Sequence, residues 1–459
     1  MPPLLARLGV VLLVAAAPVG VYFAPSHGPS YPEKWDSRVT ELAAFVERER
    51  ALRFEHPIEV AFLAEEEFVK EVTEPDPTAE ERKEVEDFVE VLRALGLVTG
   101  HPDLFAAHNA LVGSDVVGLY VPEEEKLYVR GTELTPYVRA TAVHELTHAL
   151  QDQHFDLQQL KDDAPGDDDT AVTALIEGDA VRIEDAYLQG LSPADRQAYS
   201  AEESELQEAA QDTHDDIPQV LQDRFALPYV FGPTLLDTLI AEGGNKAVDA
   251  AFRKPPYAEA QVVDPQRYPT GFTPVKIADP ELPKKAEELD GSTPFGQVSL
   301  VEVLGTRLGY AQAWAAVQGW AGDALRPYRL DDRTCVSATV ALADDAGATR
   351  FHDAVKAWGA TSVSAPADRR VHFVACDPGE AARPTAHEPS AFAVLSGRAQ
   401  VVHALMRQSQ LGFATARCMT DTLITALGPD RFGQLDEEQP TAQESQQIQQ
   451  VLARAYDGC

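Results

Sequence analysis

No cysteine occurs before residue 335; the four present are Cys335, Cys376, Cys418 and Cys459. None is spaced as CxxC, which excludes a thioredoxin-type redox motif and a cysteine-built metal site. Basic residues are also scarce: 38 Lys and Arg stand against 74 Asp and Glu, a formal charge of −36. A field of that sign repels nucleic acid and anionic membrane surfaces, and no basic patch interrupts it, so nucleic acid is excluded as a partner. Short repeats and long low-complexity runs are missing too. With 44% hydrophobic residues, the 459-residue chain is globular and long enough for two or three domains.

The long uncharged apolar run lies at the N-terminus, from Leu8 to Ala24, with Arg7 ahead of it. It is short for a spanning helix but usable. Ala15-Ala16-Ala17 offers a small-residue cleavage pattern, and Pro18, directly after, hinders cutting. Residues 1–28 are therefore read as a signal peptide or a retained N-terminal anchor. Either way the body is exported: anchored facing outside, or secreted, and touching membrane through this segment only. An even number of cysteines in an exported chain suggests two disulfides. Three pairings are possible; Cys335–Cys376 with Cys418–Cys459 is the expectation, because each bond then joins neighbouring elements.

What the chain does have is His-Glu-Leu-Thr-His at 144–148, in a stretch that reads as helix on other grounds. Thr135 suits an N-cap and Pro136 a first helical position. Ala140, Val143, Leu146, Thr147 and Leu150 then recur at helical spacing. Residues four apart share a helix face, so His144 and His148 can point at one metal, the spacing that binds zinc. Glu145 is turned by about 100° from His144 and can reach a water on that metal without being a ligand. A solvated helix with two surface histidines would show the same spacing, but the apolar neighbours predict burial, where unpartnered imidazoles are costly.

Catalytic zinc takes three protein ligands and leaves one position open. Acidic residues at Asp167–Asp169 followed by Thr170 predict a helix start. In the helix that follows, Glu177 sits among Leu175, Ile176, Val181 and Ile183, where a lone carboxylate is expensive and a metal would resolve the cost. Glu177 is the expected third ligand, with Asp179 and Glu184 weaker candidates. Asp179 and Asp152 are also placed to orient a ligand histidine from behind.

In these words the chain resembles the gluzincin class of zinc metallopeptidases, in which HExxH is completed by a glutamate on a following helix. His144-Glu-Leu-Thr-His-Ala-Leu-Gln-Asp-Gln-His154 and Leu175-Ile-Glu-Gly-Asp-Ala180 look like those of a largely uncharacterised bacterial family of predicted metallopeptidases. So do Leu227-Pro-Tyr-Val-Phe-Gly232, Gly243-Gly244, Pro255-Pro256 and Pro265-Gln-Arg-Tyr268; the likeness spans roughly residues 55–330. It implies one Zn2+ per chain held by His144, His148 and Glu177, with Glu145 as general base and acid. The chain departs from the thermolysin-like members in a longer gap before the glutamate. It also departs four residues after it, where their supporting aspartate is replaced by Val181.

Ahead of the motif, Val116–Val121 and Lys126–Arg130 alternate as a hairpin. Zincin-like peptidases hold peptide by adding it to an edge strand beside the metal. That role falls to 116–121 or 126–130. Tyr229 and Tyr268, by their setting in the Pro-Tyr-Val-Phe-Gly and Pro-Gln-Arg-Tyr words, are candidates for stabilising an oxyanion. The expected fold is α+β: a mainly helical zincin-like metallopeptidase domain over 29–295 with a small edge hairpin. A smaller disulfide-linked α/β domain without a catalytic constellation follows over 296–459. The expected activity is zinc-dependent hydrolysis of peptide or protein substrates; the alternative is a catalytically weak zinc-containing binding or scaffold protein of the cell envelope.

Overall fold

The computed structural model describes residues 31–164, 169–214, 216–268, 270–289, 294–381, 389–435 and 440–459. The N-terminal apolar segment lies outside them, as do Asp167 and Asp168 of the expected helix start. Among the described residues no helix is long and apolar enough to cross a membrane. The fold is α+β and mainly helical. The chain gathers into two compact units: the first takes the described residues of Met1–Arg82 with Asp103–Pro255, the second Lys83–Pro102 with Pro256–Cys459. The division thus falls at 255/256 rather than 295/296, and the second unit borrows a segment from the first half of the chain. An apolar helix stripe looks the same in sequence whichever unit it covers.

The first unit is built on a three-stranded sheet ordered β1 (Glu59–Leu63), β3 (Lys126–Arg130), β2 (Gly118–Val121). β2 and β3 form the expected antiparallel hairpin, from Gly118↔Val129 to Val121↔Lys126. β1 then pairs with β3 in parallel, from Glu59↔Lys126 to Leu63↔Arg130. This makes β3 the centre strand, with both sides of its backbone used. Of the two stretches expected to accept a substrate strand, 126–130 is therefore ruled out, and β2 is the edge.

The motif helix runs Pro136–Phe155, and Thr135 Oγ1 caps it by accepting from Val138 N at 3.1 Å. Val138, Ala142, Val143, Leu146, Ala149 and Leu150 face a core shared with Val39, Leu42 and Val46 of the helix Thr40–Arg50 and with Tyr120, Leu127 and Val129 of the sheet. That stripe fixes the helix rotation, so the motif side chains point the other way, toward two further helices. These are Thr170–Gln189, which carries Glu177, and Gln219–Gly243, which carries Tyr229. The sequence pattern places a helix over Leu235–Phe252 with a break at Gly243-Gly244; the break is there, between Gln219–Gly243 and Asn245–Arg253, but the first helix begins at Gln219 rather than Leu235. Pro228 and Pro233 lie inside it. Each removes an N–H from the helical ladder, so the stretch reads as a break although packing holds it helical.

The Glu177 and Tyr229 helices cross backbone to backbone. A Cβ on Gly178 would stand 2.5 Å from the carbonyl carbon and oxygen of Gly232, and one on Gly232 would stand 2.4 Å from Ala174 O. Gly178→Ala should therefore push the helices apart and cost about 1–3 kcal/mol. Denaturant unfolding checks this: an unchanged midpoint would mean the helices do not meet at these glycines.

In the second unit, a five-stranded sheet runs β4 (Glu287–Glu288), β5 (Trp320–Leu330), β6 (Arg333–Leu342), β8 (Arg370–Cys376), β7 (Ser362–Val363), antiparallel at every pairing. The antiparallel order makes this unit α+β in character, not the α/β arrangement expected. β6, β8 and the helix Asp345–Trp358 fall close to the strands that alternation predicts over Cys335–Ala341 and Arg370–Cys376 and the helix predicted over Arg350–Trp358. β5 does not: the sequence pattern predicts helices over Val298–Leu308 and Tyr310–Trp320, and while the helical element Gly296–Val317 is indeed broken between them at Gly309, where φ is 70°, it stops short and Trp320 opens the strand instead. The borrowed segment is tied in by Arg93, whose Nη2 lies 2.6 Å from Asp377 Oδ2 with both side chains buried. Both disulfides pair as expected, Cys335–Cys376 and Cys418–Cys459. The first joins residues directly opposite in the β6/β8 ladder.

Candidate metal centre

His144 and His148 are one helical turn apart, both buried, with ring centroids 4.8 Å apart. Glu177, only 1% exposed, lies between their Nε2 atoms. Its Oε2 is 3.1 Å from His144 Nε2 and its Oε1 3.4 Å from His148 Nε2. Behind each ring the other nitrogen is occupied: His144 Nδ1 faces Glu184 Oε2 at 3.1 Å, and His148 Nδ1 faces Gln151 Oε1 at 3.0 Å. Acceptors at both Nδ1 positions hold the protons there. The neutral rings then present Nε2 lone pairs to the space shared with Glu177.

That arrangement fits a metal. Tetrahedral zinc with bonds of about 2.0–2.1 Å sets neighbouring ligand atoms about 3.3 Å apart, close to the separations above. His148 Nε2 is buried without a hydrogen bond of acceptable geometry, the condition of a nitrogen whose partner is a cation. Donor atoms of His144, Glu145 and His148 also lie within 4.8 Å of one another. Between the two carboxylates, Glu177 is the better third ligand, because Glu145 Oε2 is engaged elsewhere: it accepts from Tyr120 N at 2.8 Å.

Without a cation the cluster is an ion-pair group. Burial alone would push the Glu177 carboxyl up, but the neighbouring His148 and His144 bring it down to about 2. Burial works against charge on His144 as well, yet its hydrogen bonds to Glu177 and Glu184 raise its pKa well above the ordinary value; on His148 burial is outweighed chiefly by the nearby charge of Glu177.

Glu145 is fixed against the edge of β2. Val117 O accepts from Arg130 N, so alternation turns the backbone groups of Gly118 and Tyr120 away from β3, and Tyr120 N meets the Glu145 carboxylate. Gly118 leaves the room: a Cβ there would stand 2.8 Å from Thr141 Cγ2 and 3.0 Å from Glu145 Cγ. Glu145, Gly118 and Leu119 of the edge strand, and His144 open on one cavity of about 320 Å³. Tyr229 lines it, 6.2 Å from His144 ring to ring. Burial and the charges of Glu177, Glu145 and Glu184 push the Tyr229 phenol well up, so it remains an O–H donor.

Other expected residues fall differently. Tyr268 belongs to the second unit and is not among the residues lining the cavity. Asp152 touches neither histidine: it accepts from Tyr120 Oη at 2.8 Å and from Leu157 N at 2.9 Å, closing the C-terminal end of the motif helix. Asp179 acts at one remove, since Gln151 Nε2 donates to its Oδ2 at 3.1 Å while Gln151 Oε1 faces His148. Asp179 is held in turn by Arg50 at 2.6 Å and Arg182 at 2.7 Å. Burial would raise its carboxyl, and those two arginines lower it.

Sequence reading missed Gln151 and Arg50, and undervalued Glu184. Two carried a signal: Gln151 is three residues beyond His148, and Glu184 two turns beyond Glu177, each on the candidate ligand's own helix face. Arg50, 129 residues from Asp179, carried none.

A family described as a domain of unknown function (DUF8575) matches residues 284–404, inside the second unit. No curated protein and no solved structure matches the chain.

Proposed function

We propose that this chain is a zinc-dependent metallopeptidase of the gluzincin kind, with a zincin-like first unit, acting on peptide or protein substrates outside the cytoplasm. The observation that carries the reading is the seat of Glu177 between two Nε2 atoms whose Nδ1 partners are already in place, beside a separate carboxylate fixed on an edge strand. A site built only to stabilise would close with four ligands and would not need Glu145. The two disulfides and the apolar N-terminal run support export.

His144, His148 and Glu177 would hold the ion. Zinc there supplies Lewis acidity toward a carbonyl oxygen and lowers the pKa of water. Glu145, on the cavity side of its helix, takes the proton of the attacking water and returns it to the leaving amine. Tyr229 O–H donates to the oxygen that gains charge. The backbone of Gly118 and Tyr120 aligns an extended peptide by strand addition.

The test is elemental analysis of the purified exported part, with His148→Ala alongside and fluorogenic peptides assayed with and without a chelator. One zinc per chain, absent from the mutant, with chelator-sensitive hydrolysis is expected. No zinc in either protein after metal addition would overturn the reading. Zinc without hydrolysis of any peptide would point instead to a zinc-containing binding or scaffold protein.

A further inference from the structure

Among the polar groups lining the cavity beside the candidate base, His108 is one that the hydrolytic reading leaves unused. His108, on the helix Leu104–Asp115, is only 5% exposed and lines the cavity. Among the described residues nothing hydrogen-bonds or pairs with it, and burial alone pushes its pKa down to about 4. It is a neutral imidazole, with one donor and one acceptor nitrogen. Its neighbours in the wall are apolar: Val72, Val112, Val116, Leu119 and Phe225. His108 is not among the side chains with a sealed, partnerless nitrogen, so water in the cavity serves it. A ligand that displaces this water without replacing its hydrogen bond forgoes about 1–3 kcal/mol, and one that replaces it does not.

We infer that His108 is the specificity-determining residue of this cavity, selecting a substrate side chain with a flat apolar body and a hydrogen-bonding tip: a phenol, as in tyrosine. The apolar wall takes the ring, and His108 takes the hydroxyl. A phenylalanine side chain would fill the same wall and leave the imidazole unpaired, and sites built to bond a hydroxyl discriminate strongly against analogues lacking it. This inference rests on the peptidase reading for the word substrate, but not for the binding preference. Acidic residues also border the cavity, Asp115 and Glu184 among them, so lysine is the competing occupant.

The experiment uses the zinc-loaded full chain carrying Glu145→Gln, so that ligands bind without turnover. Calorimetry compares acetyl-Ala-Ala-Xaa-Ala-Ala-amide with Xaa as Tyr, Phe or Lys, in that background and with His108→Leu added. The wild-type protein is assayed for hydrolysis of the same three peptides. Tyrosine should bind about tenfold or more tighter than phenylalanine, and His108→Leu should abolish or reverse that ratio while phenylalanine binding holds, which also shows that the variant folds. Equal binding of Tyr and Phe, a preference that survives His108→Leu, or tightest binding of the lysine peptide would each overturn the inference. Tyrosine-selective binding with no cleavage by the wild type would uphold the inference and sink the peptidase reading; cleavage without the preference would do the reverse.

Discussion

Replacing Glu145 with glutamine should lower kcat/KM for peptide hydrolysis by about 10²–10⁴-fold and leave zinc content at one per chain. Glutamine keeps the length of the side chain, and its amide oxygen can still accept from Tyr120 N, which now bonds Glu145 Oε2. The anchor to β2 and the helix therefore survive the change. What is lost is the ability to take a proton. Glu145→Asp is the informative companion: the carboxylate remains but is withdrawn by one methylene from both Tyr120 N and the cavity. Intermediate activity in that variant fits a base whose position matters. A fully active Glu145→Gln protein would sink the assignment, and one that had also lost zinc would make Glu145 a ligand instead.

Stripping the metal should invert the pH dependence of stability. In the metal-free protein Glu177 is the counter-ion of both histidines. The histidine pKa values are raised above the unfolded 6.5, so their contribution is fully present below that pH and is lost as pH rises through the folded values. The Glu177 contribution, from a carboxyl lowered from 4.5 to about 2, is present above 4.5 and lost only toward 2, so it does not disturb the neutral range. The thermal midpoint of chelated protein should thus fall from pH 6 to 9. With zinc bound, protons compete with the metal for the imidazoles, and the midpoint should rise over the same interval. Glu177→Ala should lose zinc and flatten the chelated profile. A chelated wild-type profile as flat as the mutant's would show that Glu177 does not sit between the histidines.

The motif helix was legible because three independent signals agree there: a cap, an apolar period and the His spacing. The Glu177 helix was legible for a related reason, a carboxylate stranded among apolar neighbours. The hairpin was visible by alternation, but not which strand is central, since β1 arrives from some 60 residues earlier in parallel register. Prolines hid the first half of the Tyr229 helix, because local propensity counts the missing N–H groups and cannot count the glycine crossing that compensates. The orientation of His148 depends on Gln151, then Asp179, then Arg50; only the first link is local. His108 gave no sign at all, since its meaning lies in what surrounds it.

The borrowed segment of the second unit bears on how the protein is made. Lys83–Pro102 leaves the ribosome early, yet its unit is not complete until the chain has been read to Cys459. At bacterial-scale synthesis of about 5–20 residues per second, the wait is roughly 20–70 s. Val85, Val89 and Leu92, all buried in the finished fold, have no permanent cover during that time. The stretch therefore cannot finish its packing while the chain is still being made. It also makes residues 256–459 a poor choice for expression alone: such a fragment would lack Arg93, leave Asp377 without its ion-pair partner, and expose the surface that the early helix was made to cover.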